Sequence, residues 1–106
     1  MVLFVVDWIQ CFREYRKEYR AHALQKLVER DIDFAEIDEI TDNLKVTQEY
    51  EDDTPYPSCL VLGFSKAKRP LHVVFSVNHS NKTVYVITVY EPDVTRWNED
   101  FTRRNQ

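Results

Sequence analysis

The chain carries two residues suited to proton transfer on a pair of strand-like segments in its second half. His72 lies in the run Pro-Leu-His-Val-Val-Phe-Ser-Val-Asn, and Tyr90 ends the run Thr-Val-Tyr-Val-Ile-Thr-Val-Tyr. A short polar connection rich in turn formers separates these β-branched and aromatic runs, which is typical of a β-hairpin. Side chains alternate between the two faces of a strand, so His72, Thr88 and Tyr90 should project from one face. We expect His72 and Tyr90 to be within reach of one bound group.

Apolar side chains mark the other face of this hairpin as the core face. On the first strand the core face carries Leu71, Val73, Phe75 and Val77. Strict alternation along the second strand groups Val84 and Val86 with Thr88 and Tyr90, opposite Thr83, Tyr85, Ile87 and Val89. The sequence therefore predicts a face of mixed polarity around His72, and a chemical site is expected there.

One side of a predicted helix over 21–30 supplies basic groups for the same chemistry. His22, Lys26 and Arg30 follow one another at four-residue spacing, which places them on one side of the helix. This side lies away from the apolar residues Leu24, Leu27 and Val28. His22 therefore reaches the hairpin only if the helix packs at the edge of the sheet, and a role in bracing the helix stays open.

A second basic cluster precedes this helix. Its basic residues are interleaved with Tyr15 and Tyr19, a pattern that suits phosphate contact combined with base stacking. They are Arg13, Arg16, Lys17 and Arg20. A solvated helix face, paired with neighbouring glutamates, explains the same pattern. The functional interpretation assigns RNA binding to four residues: Arg16, Tyr19, Arg20 and Lys26.

These residue types can supply the groups for metal-free RNA cleavage, the activity that a family resemblance of this chain implies. The reaction requires a base for the 2′-hydroxyl proton, an acid for the leaving oxygen and a cation against the phosphate. The candidate catalytic residues are His22, Arg30, His72 and Tyr90, with structural roles in the sheet left open for His72 and Tyr90. The three histidines lack the paired carboxylate or thiolate spacing of a zinc motif, and no glycine-rich loop is present to hold a nucleotide. We expect neither a metal nor a cofactor.

An α+β fold is predicted to position these residues. A second short helix should begin after Asp33, with Glu36 completing a capping box, while the chain before Arg20 is either helical or extended. The remaining predicted elements are strands over 45–50 and 58–64, the hairpin, and a helix over 94–104. Helices grouped outside hairpin-linked strands imply two N-terminal helices, a four-stranded antiparallel meander and a short C-terminal helix.

Composition and charge indicate one folded domain over residues 1–106. The chain is 43% hydrophobic and 30% charged, and its length suits a single core. The net charge of −4 does not attract RNA to the molecule as a whole, so binding must rely on a local basic patch. Cys11 and Cys59 lack the spacing of a metal site or disulfide framework, and Asp7 interrupts an N-terminal apolar run too short to span a bilayer. We expect free thiols, no membrane association and a cytoplasmic location.

Several segments resemble a small, widespread and mostly uncharacterised bacterial domain family. They are His22–Ile32, Leu60–Gly63, Pro70–Val74 and Ile87–Asp93, followed by Trp97. The resemblance covers roughly residues 19–101 and leaves 1–18 as an N-terminal extension. Members usually carry Arg-Gly-Ile where this chain has Arg30-Asp31-Ile32.

This family is similar to the BrnT and RelE toxins of the barnase, EndoU, colicin and RelE-like ribonuclease fold. The similarity implies two helices followed by an antiparallel sheet, cleavage of RNA, and an antitoxin protein as partner. The alternative is a non-catalytic interaction domain that uses the same sheet face to bind a protein or small ligand. Net acidity favours the alternative, and the oligomeric state stays open.

Overall fold

A computed structural model of the chain describes residues 6–93. Within this range it shows a mixed α+β fold with three α-helices and a five-stranded sheet. The helices are α1 (Trp8–Glu14), α2 (Ala21–Glu29) and α3 (Phe34–Ile40), followed by a 3-10 turn over Thr41–Asn43. The strands are β1 (Arg16–Tyr19), β2 (Lys45–Tyr50), β3 (Ser58–Phe64), β4 (Pro70–Asn78) and β5 (Thr83–Tyr90). The predicted C-terminal helix over 94–104 lies outside the described residues.

The sheet order is β1-β5-β4-β3-β2, and β2 to β5 form the predicted antiparallel meander. The prediction of four strands is wrong at one edge, where β1 pairs with β5 in parallel, from Arg16 opposite Thr83 to Tyr19 opposite Val86. This strand has four residues and is mostly charged, so it carries no clear hydrophobic alternation. Its conformation depends on the free edge of β5, which local sequence does not report.

The prediction of two N-terminal helices omitted α1, which belongs to the core. Asp7 caps this helix by accepting a hydrogen bond from the backbone N–H of Gln10 at 3.1 Å. Trp8 and Phe12 stand four residues apart and are buried, with ring centroids 6.1 Å and 4.9 Å from that of Phe75 on β4. The N-terminal extension therefore contributes a helix that packs on the sheet and most of the edge strand β1.

The turn between α2 and α3 has two recognisable end motifs. Ile32 N–H donates to the carbonyl of Leu27 at 2.9 Å and Asp31 N–H to that of Val28 at 3.3 Å, which is the pattern of a Schellman motif. Asp31 adopts a left-handed conformation with φ of 55° at the position where glycine is preferred. The predicted capping box of Asp33 and Glu36 is confirmed, and it starts α3.

A β-bulge decides which side chains share the core. The β4–β5 register shifts after Val74, which pairs with Thr88, so that Phe75 pairs with Val86 and Ile87 is skipped. Val84 and Val86, grouped by strict alternation with Tyr90, therefore belong to the core face together with Val89. The opposite face, called the mixed face below, carries Leu60, Leu62, His72, Val74, Ser76, Tyr85, Thr88 and Tyr90.

Candidate active site on the mixed face

His72 and Tyr90 meet on the mixed face, as their strand positions predicted. They are directly paired residues of β4 and β5, and Nδ1 of His72 lies 3.2 Å from the Tyr90 hydroxyl oxygen. Their rings make an edge contact with centroids 5.2 Å apart. His72 is 0% exposed, whereas Tyr90 is partly buried. Tyr90 is therefore the member of the pair that a substrate can approach.

Arg30 brings a positive charge to this pair from the end of α2. Its Nη1 donates to the Val89 carbonyl at 2.7 Å and to the Thr88 hydroxyl at 3.3 Å. Its Cζ lies 6.0 Å from the centre of the Tyr90 ring. Because β1 pairs with β5 only as far as Val86, the edge of β5 beyond that residue is open to a side chain. The Arg30 guanidinium occupies this edge, where its hydrogen bonds to Thr88 and Val89 hold it in place.

Arg69 supports the site, although no pattern in the sequence indicated this role. Its Nη2 donates to the Arg30 carbonyl at 3.0 Å and its Nη1 to the Asp31 carbonyl at 2.8 Å, at the C-terminal end of α2. It also contacts Glu36 at 3.1 Å and Glu91 at 2.6 Å. The hydrogen bond that Arg69 donates to Glu91 is the main reason that the pKa of Arg69 is raised. These partners come from distant segments, so no local sequence signal identifies the residue.

His22 and Lys26 do not join the pair. His22 is exposed on α2, and within residues 6–93 it makes no hydrogen bond or ion pair with Arg30, His72 or Tyr90. Lys26 Nζ lies 3.0 Å from a carboxylate oxygen of Glu29, and this contact lowers the pKa of Glu29. Of His22, Lys26 and Arg30, which were predicted to share one side of the helix, Arg30 alone lies beside His72 and Tyr90.

The basic cluster before α2 is divided between the two sheet faces. Tyr19 points to the core side, where its ring centroid lies 5.0 Å from that of Phe34, and burial raises the pKa of Tyr19 to about 12. Arg16 and Arg20 reach the mixed face instead, where Arg16 contacts the Thr83 hydroxyl at 3.5 Å. Arg20 lies over the ring of Tyr85, with Cζ 4.5 Å from the centroid. Tyr85, and not Tyr19, is thus the aromatic partner of these arginines.

Neither the two cysteines nor the acidic residues and histidines of residues 6–93 form a disulfide or a metal site. Cys11 and Cys59 are buried and free, as predicted, and burial is the main cause of the raised pKa of each thiol. No three His, Cys, Asp or Glu side chains within residues 6–93 are grouped as metal ligands. Over the same range, no helix combines the length and apolar character needed to cross a membrane.

A groove of about 370 Å³ lies between α2 and α3, and its lining does not include Arg30, His72 or Tyr90. Three apolar side chains at the groove are exposed, namely Leu24 at 42%, Val28 at 83% and Phe34 at 54%. The other lining residues are Leu27, Asp31, Ile32 and Asp33. Exposed apolar groups that adjoin one another in a groove are typical of interaction surfaces.

Comparison with known proteins places this arrangement in a family. No curated protein matches the chain. The model of a family described as a domain of unknown function, DUF4258, matches residues 19–91. The match runs from the end of β1 past the end of β5, so it includes Arg30, Arg69, His72 and Tyr90 and leaves α1 outside. The chain belongs to the DUF4258 domain family.

Proposed function

We propose that this protein is a metal-independent endoribonuclease related to the BrnT and RelE toxins, acting through Tyr90, His72 and Arg30. The observation that carries the proposal is the 3.2 Å contact between the Tyr90 hydroxyl and Nδ1 of His72, with the Arg30 guanidinium beside the same tyrosine. A hydroxyl, an imidazole and a fixed cation are groups that phosphodiester cleavage uses.

The burial of His72 supports a division of roles in which Tyr90 contacts the substrate. Tyr90 takes the proton of the 2′-hydroxyl and passes its own proton to Nδ1 of His72. The 2′ oxygen then bonds to phosphorus, and the 5′ oxygen leaves and takes a proton from water. The products are a 2′,3′-cyclic phosphate and a 5′-hydroxyl. His72 acts through Tyr90 and is therefore a positioning residue that also accepts the proton.

Arg30 stabilises the charge that develops on the phosphate. Only Nη1 of Arg30 donates hydrogen bonds within residues 6–93, so Nε and Nη2 can donate to two phosphate oxygens. A planar guanidinium held by a backbone carbonyl loses little freedom when it binds phosphate in this way. This preorganisation favours Arg30 over Lys26 as the phosphate-binding cation.

The test compares wild type with Tyr90→Phe, Arg30→Ala and Arg13→Ala in cleavage of a cellular RNA pool, with and without a chelator. Arg13 is the matched control because, like Arg30, it donates a hydrogen bond to a backbone carbonyl, here from its Nε to Thr41 at 2.9 Å. It belongs to α1, which packs on the core face of the sheet and not on the mixed face. We expect losses on the order of 100-fold or more for Tyr90→Phe and Arg30→Ala. Arg13→Ala should stay near wild type, and the chelator should change little.

Three results would reject this function. They are no cleavage by folded wild type, complete inhibition by the chelator, and equal activity of Arg30→Ala and Arg13→Ala. In the first case a non-catalytic interaction domain replaces the enzyme. One observation favours that second candidate, namely the complete burial of His72 together with Leu60 and Leu62 at 2% and 4% exposure on the same face.

As the partner we propose an antitoxin that docks in the groove between α2 and α3. Asp31 and Asp33 line this groove beside Val28 and Phe34, so the complementary ligand is an amphipathic segment with basic residues flanking its apolar side chains. Wild type should co-purify with the small basic product of an adjacent reading frame, and Val28→Glu should not. Retention of the partner by Val28→Glu would place its binding site elsewhere.

A further inference from the structure

A stack of three side chains lies beside the proposed reaction centre on the mixed face. Arg20 covers the ring of Tyr85 at 4.5 Å, and the rings of Tyr85 and Tyr56 stack with centroids 5.7 Å apart and planes 20° apart. Asn78 donates to the Tyr56 hydroxyl at 2.9 Å, which fixes that ring. We call these residues the Arg20–Tyr85–Tyr56 stack.

The stack is accessible and is not part of the main core. Arg20 is exposed, Tyr56 and Tyr85 are partly buried, and the hydrophobic core lies on the opposite face of the sheet. Within the described residues, a planar cation and two aromatic rings thus form a layered surface open to solvent. Nucleic-acid bases stack on aromatic rings and on guanidinium planes, and a stack of this kind can be extended by a base.

Position and charge connect the stack with the reaction centre. Tyr85 precedes Tyr90 by five residues on the same face of β5, a span of roughly 16 Å at the usual strand rise. Arg16 and Arg20 lie at one end of this span and Arg30 at the other. Glu18 occupies the β1 position opposite Tyr85 and partly offsets these charges.

We propose that the Arg20–Tyr85–Tyr56 stack is a subsite for single-stranded RNA, which it binds several nucleotides away from the bond cleaved at Tyr90. Unpaired bases extend the stack, and the adjoining phosphates contact Arg16 and Arg20. Bases in a duplex are already stacked on one another and cannot reach such a surface. This inference rests on the proposed function and adds the substrate class. The substrate is RNA whose nucleotides are unpaired where the strand runs from the cleavage site at Tyr90 towards Tyr85.

Binding is measured separately from cleavage with an oligonucleotide whose 2′-hydroxyls are all methylated, because attack by the 2′ oxygen is then blocked. The assay is fluorescence anisotropy of a labelled 12-nucleotide strand, alone or as a duplex with its complement. Wild type should bind the single strand at least 10-fold more tightly. Tyr85→Leu removes the ring between Arg20 and Tyr56 and should weaken binding roughly 10-fold, whereas Tyr85→Phe keeps this ring and should bind as wild type.

Charge and a control tyrosine sharpen the test. Arg20→Gln should weaken binding and reduce the salt dependence by about one counterion, and Glu18→Gln should strengthen binding. Tyr15→Leu is the matched control, since Tyr15 contacts His79 at 3.2 Å and packs against the core side. Thermal melting establishes that each variant is folded. If Tyr85→Leu does not fold, the Arg20→Gln and Glu18→Gln results decide.

The outcomes separate this inference from the proposed function. Single-strand binding that requires Tyr85, in a protein that does not cleave unmodified RNA, supports the subsite and rejects the ribonuclease. Cleavage by wild type together with unchanged binding by Tyr85→Leu and Arg20→Gln rejects the subsite alone. Equal affinity for strand and duplex, or no measurable binding by wild type, also overturns the subsite.

Discussion

The hydroxyl of Tyr90 contacts Nδ1 of His72 at 3.2 Å because the two residues are direct partners across β5 and β4. The β-bulge that skips Ile87 lies between this pair and the turn of the hairpin. Without it, the register on the turn side, where Val77 pairs with Val84, would place Val89 opposite His72, so the bulge brings Tyr90 beside His72. As a result, Val84, Val86 and Val89 lie on the core face of β5, whereas Tyr85, Thr88 and Tyr90 lie on the mixed face.

Substitutions in this pair should differ in cost. Tyr90→Phe removes a hydroxyl from a partly buried ring, and we expect a loss of about 1 kcal/mol in the free energy of unfolding. His72→Ala empties a fully buried position and should cost about 2–4 kcal/mol. Urea denaturation measures both, with Tyr15→Phe as the control for loss of a tyrosine hydroxyl. A cost below 1 kcal/mol for His72→Ala would contradict the observed burial.

Asp31→Gly should stabilise the protein. Asp31 has φ of 55° at the C-terminal end of α2, where a side chain is strained and a negative charge opposes the helix dipole. Glycine relieves both effects, and the net gain should be about 1 kcal/mol after its greater unfolded-state entropy is counted. We expect the melting temperature to rise by roughly 4–8 °C.

The control for Asp31→Gly is Asp33→Ala. Asp33 caps the start of α3, so its removal should lower stability by about 1 kcal/mol. The two substitutions each remove an aspartate, two positions apart, and should change the melting temperature in opposite directions. A lower melting temperature for Asp31→Gly would show that the aspartate stabilises the turn.

Gly63→Ala should destabilise the sheet where α3 meets β3. A Cβ atom at position 63 would lie 2.5 Å from Cβ of Ile40 and 3.1 Å from its carbonyl oxygen. Every residue except glycine has a Cβ, so shortening Ile40 to valine or alanine does not relieve the clash and the backbone must move. We expect a cost of about 1–3 kcal/mol in chemical denaturation. The double variant Gly63→Ala with Ile40→Val should show no rescue, and recovery of stability would disprove this explanation.

Arg69 should contribute more to stability than an ordinary surface cation. Its guanidinium contacts two backbone carbonyls and the carboxylates of Glu36 and Glu91, an arrangement that the single ammonium of lysine cannot reproduce. Arg69→Lys should therefore cost about 2 kcal/mol. Lys26→Ala, which removes an exposed pair with Glu29, should cost less than about 0.5 kcal/mol in the same thermal melts. Similar costs for the two variants would contradict this role.

Tyr19 should make stability depend on alkaline pH. Burial, with a further contribution from Asp38, raises the pKa of Tyr19 to about 12, above its ordinary value of 10.0. A raised folded-state pKa means that the native state retains the proton while the unfolded state loses it, so this stability is present below pH 10 and falls as the pH rises towards 12.

Comparison with Tyr19→Phe isolates this contribution. Burial lowers the pKa of Lys17, which acts in the opposite direction, but Lys17 is present in both proteins. Urea denaturation between pH 9 and about 11 should show a steeper loss of stability in wild type than in Tyr19→Phe. Parallel curves would show that the Tyr19 hydroxyl is not buried in its neutral form.

Local patterns in the sequence were enough to predict several elements of the fold. The capping box at Asp33 and Glu36 starts α3, the apolar residues of β3 and β4 predict both strands, and the alternation along β4 predicts its core face. The shared face of His72 and Tyr90 was also predicted from a two-residue period, but it depends on the β-bulge, because the register set by the turn alone would place Val89 opposite His72. These features depend on interactions between residues that are close along the chain or joined by one turn.

The remaining features depend on tertiary contacts, because the residues that make them are distant in sequence. The parallel pairing of β1 with β5, the packing of α1 on Phe75 and the four contacts of Arg69 each join segments that no local pattern relates. Tyr19 illustrates the physical reason. Its spacing with Arg16 and Arg20 fits a helix, but pairing with β5 imposes a two-residue period that turns Tyr19 into the core and leaves the arginines on the mixed face.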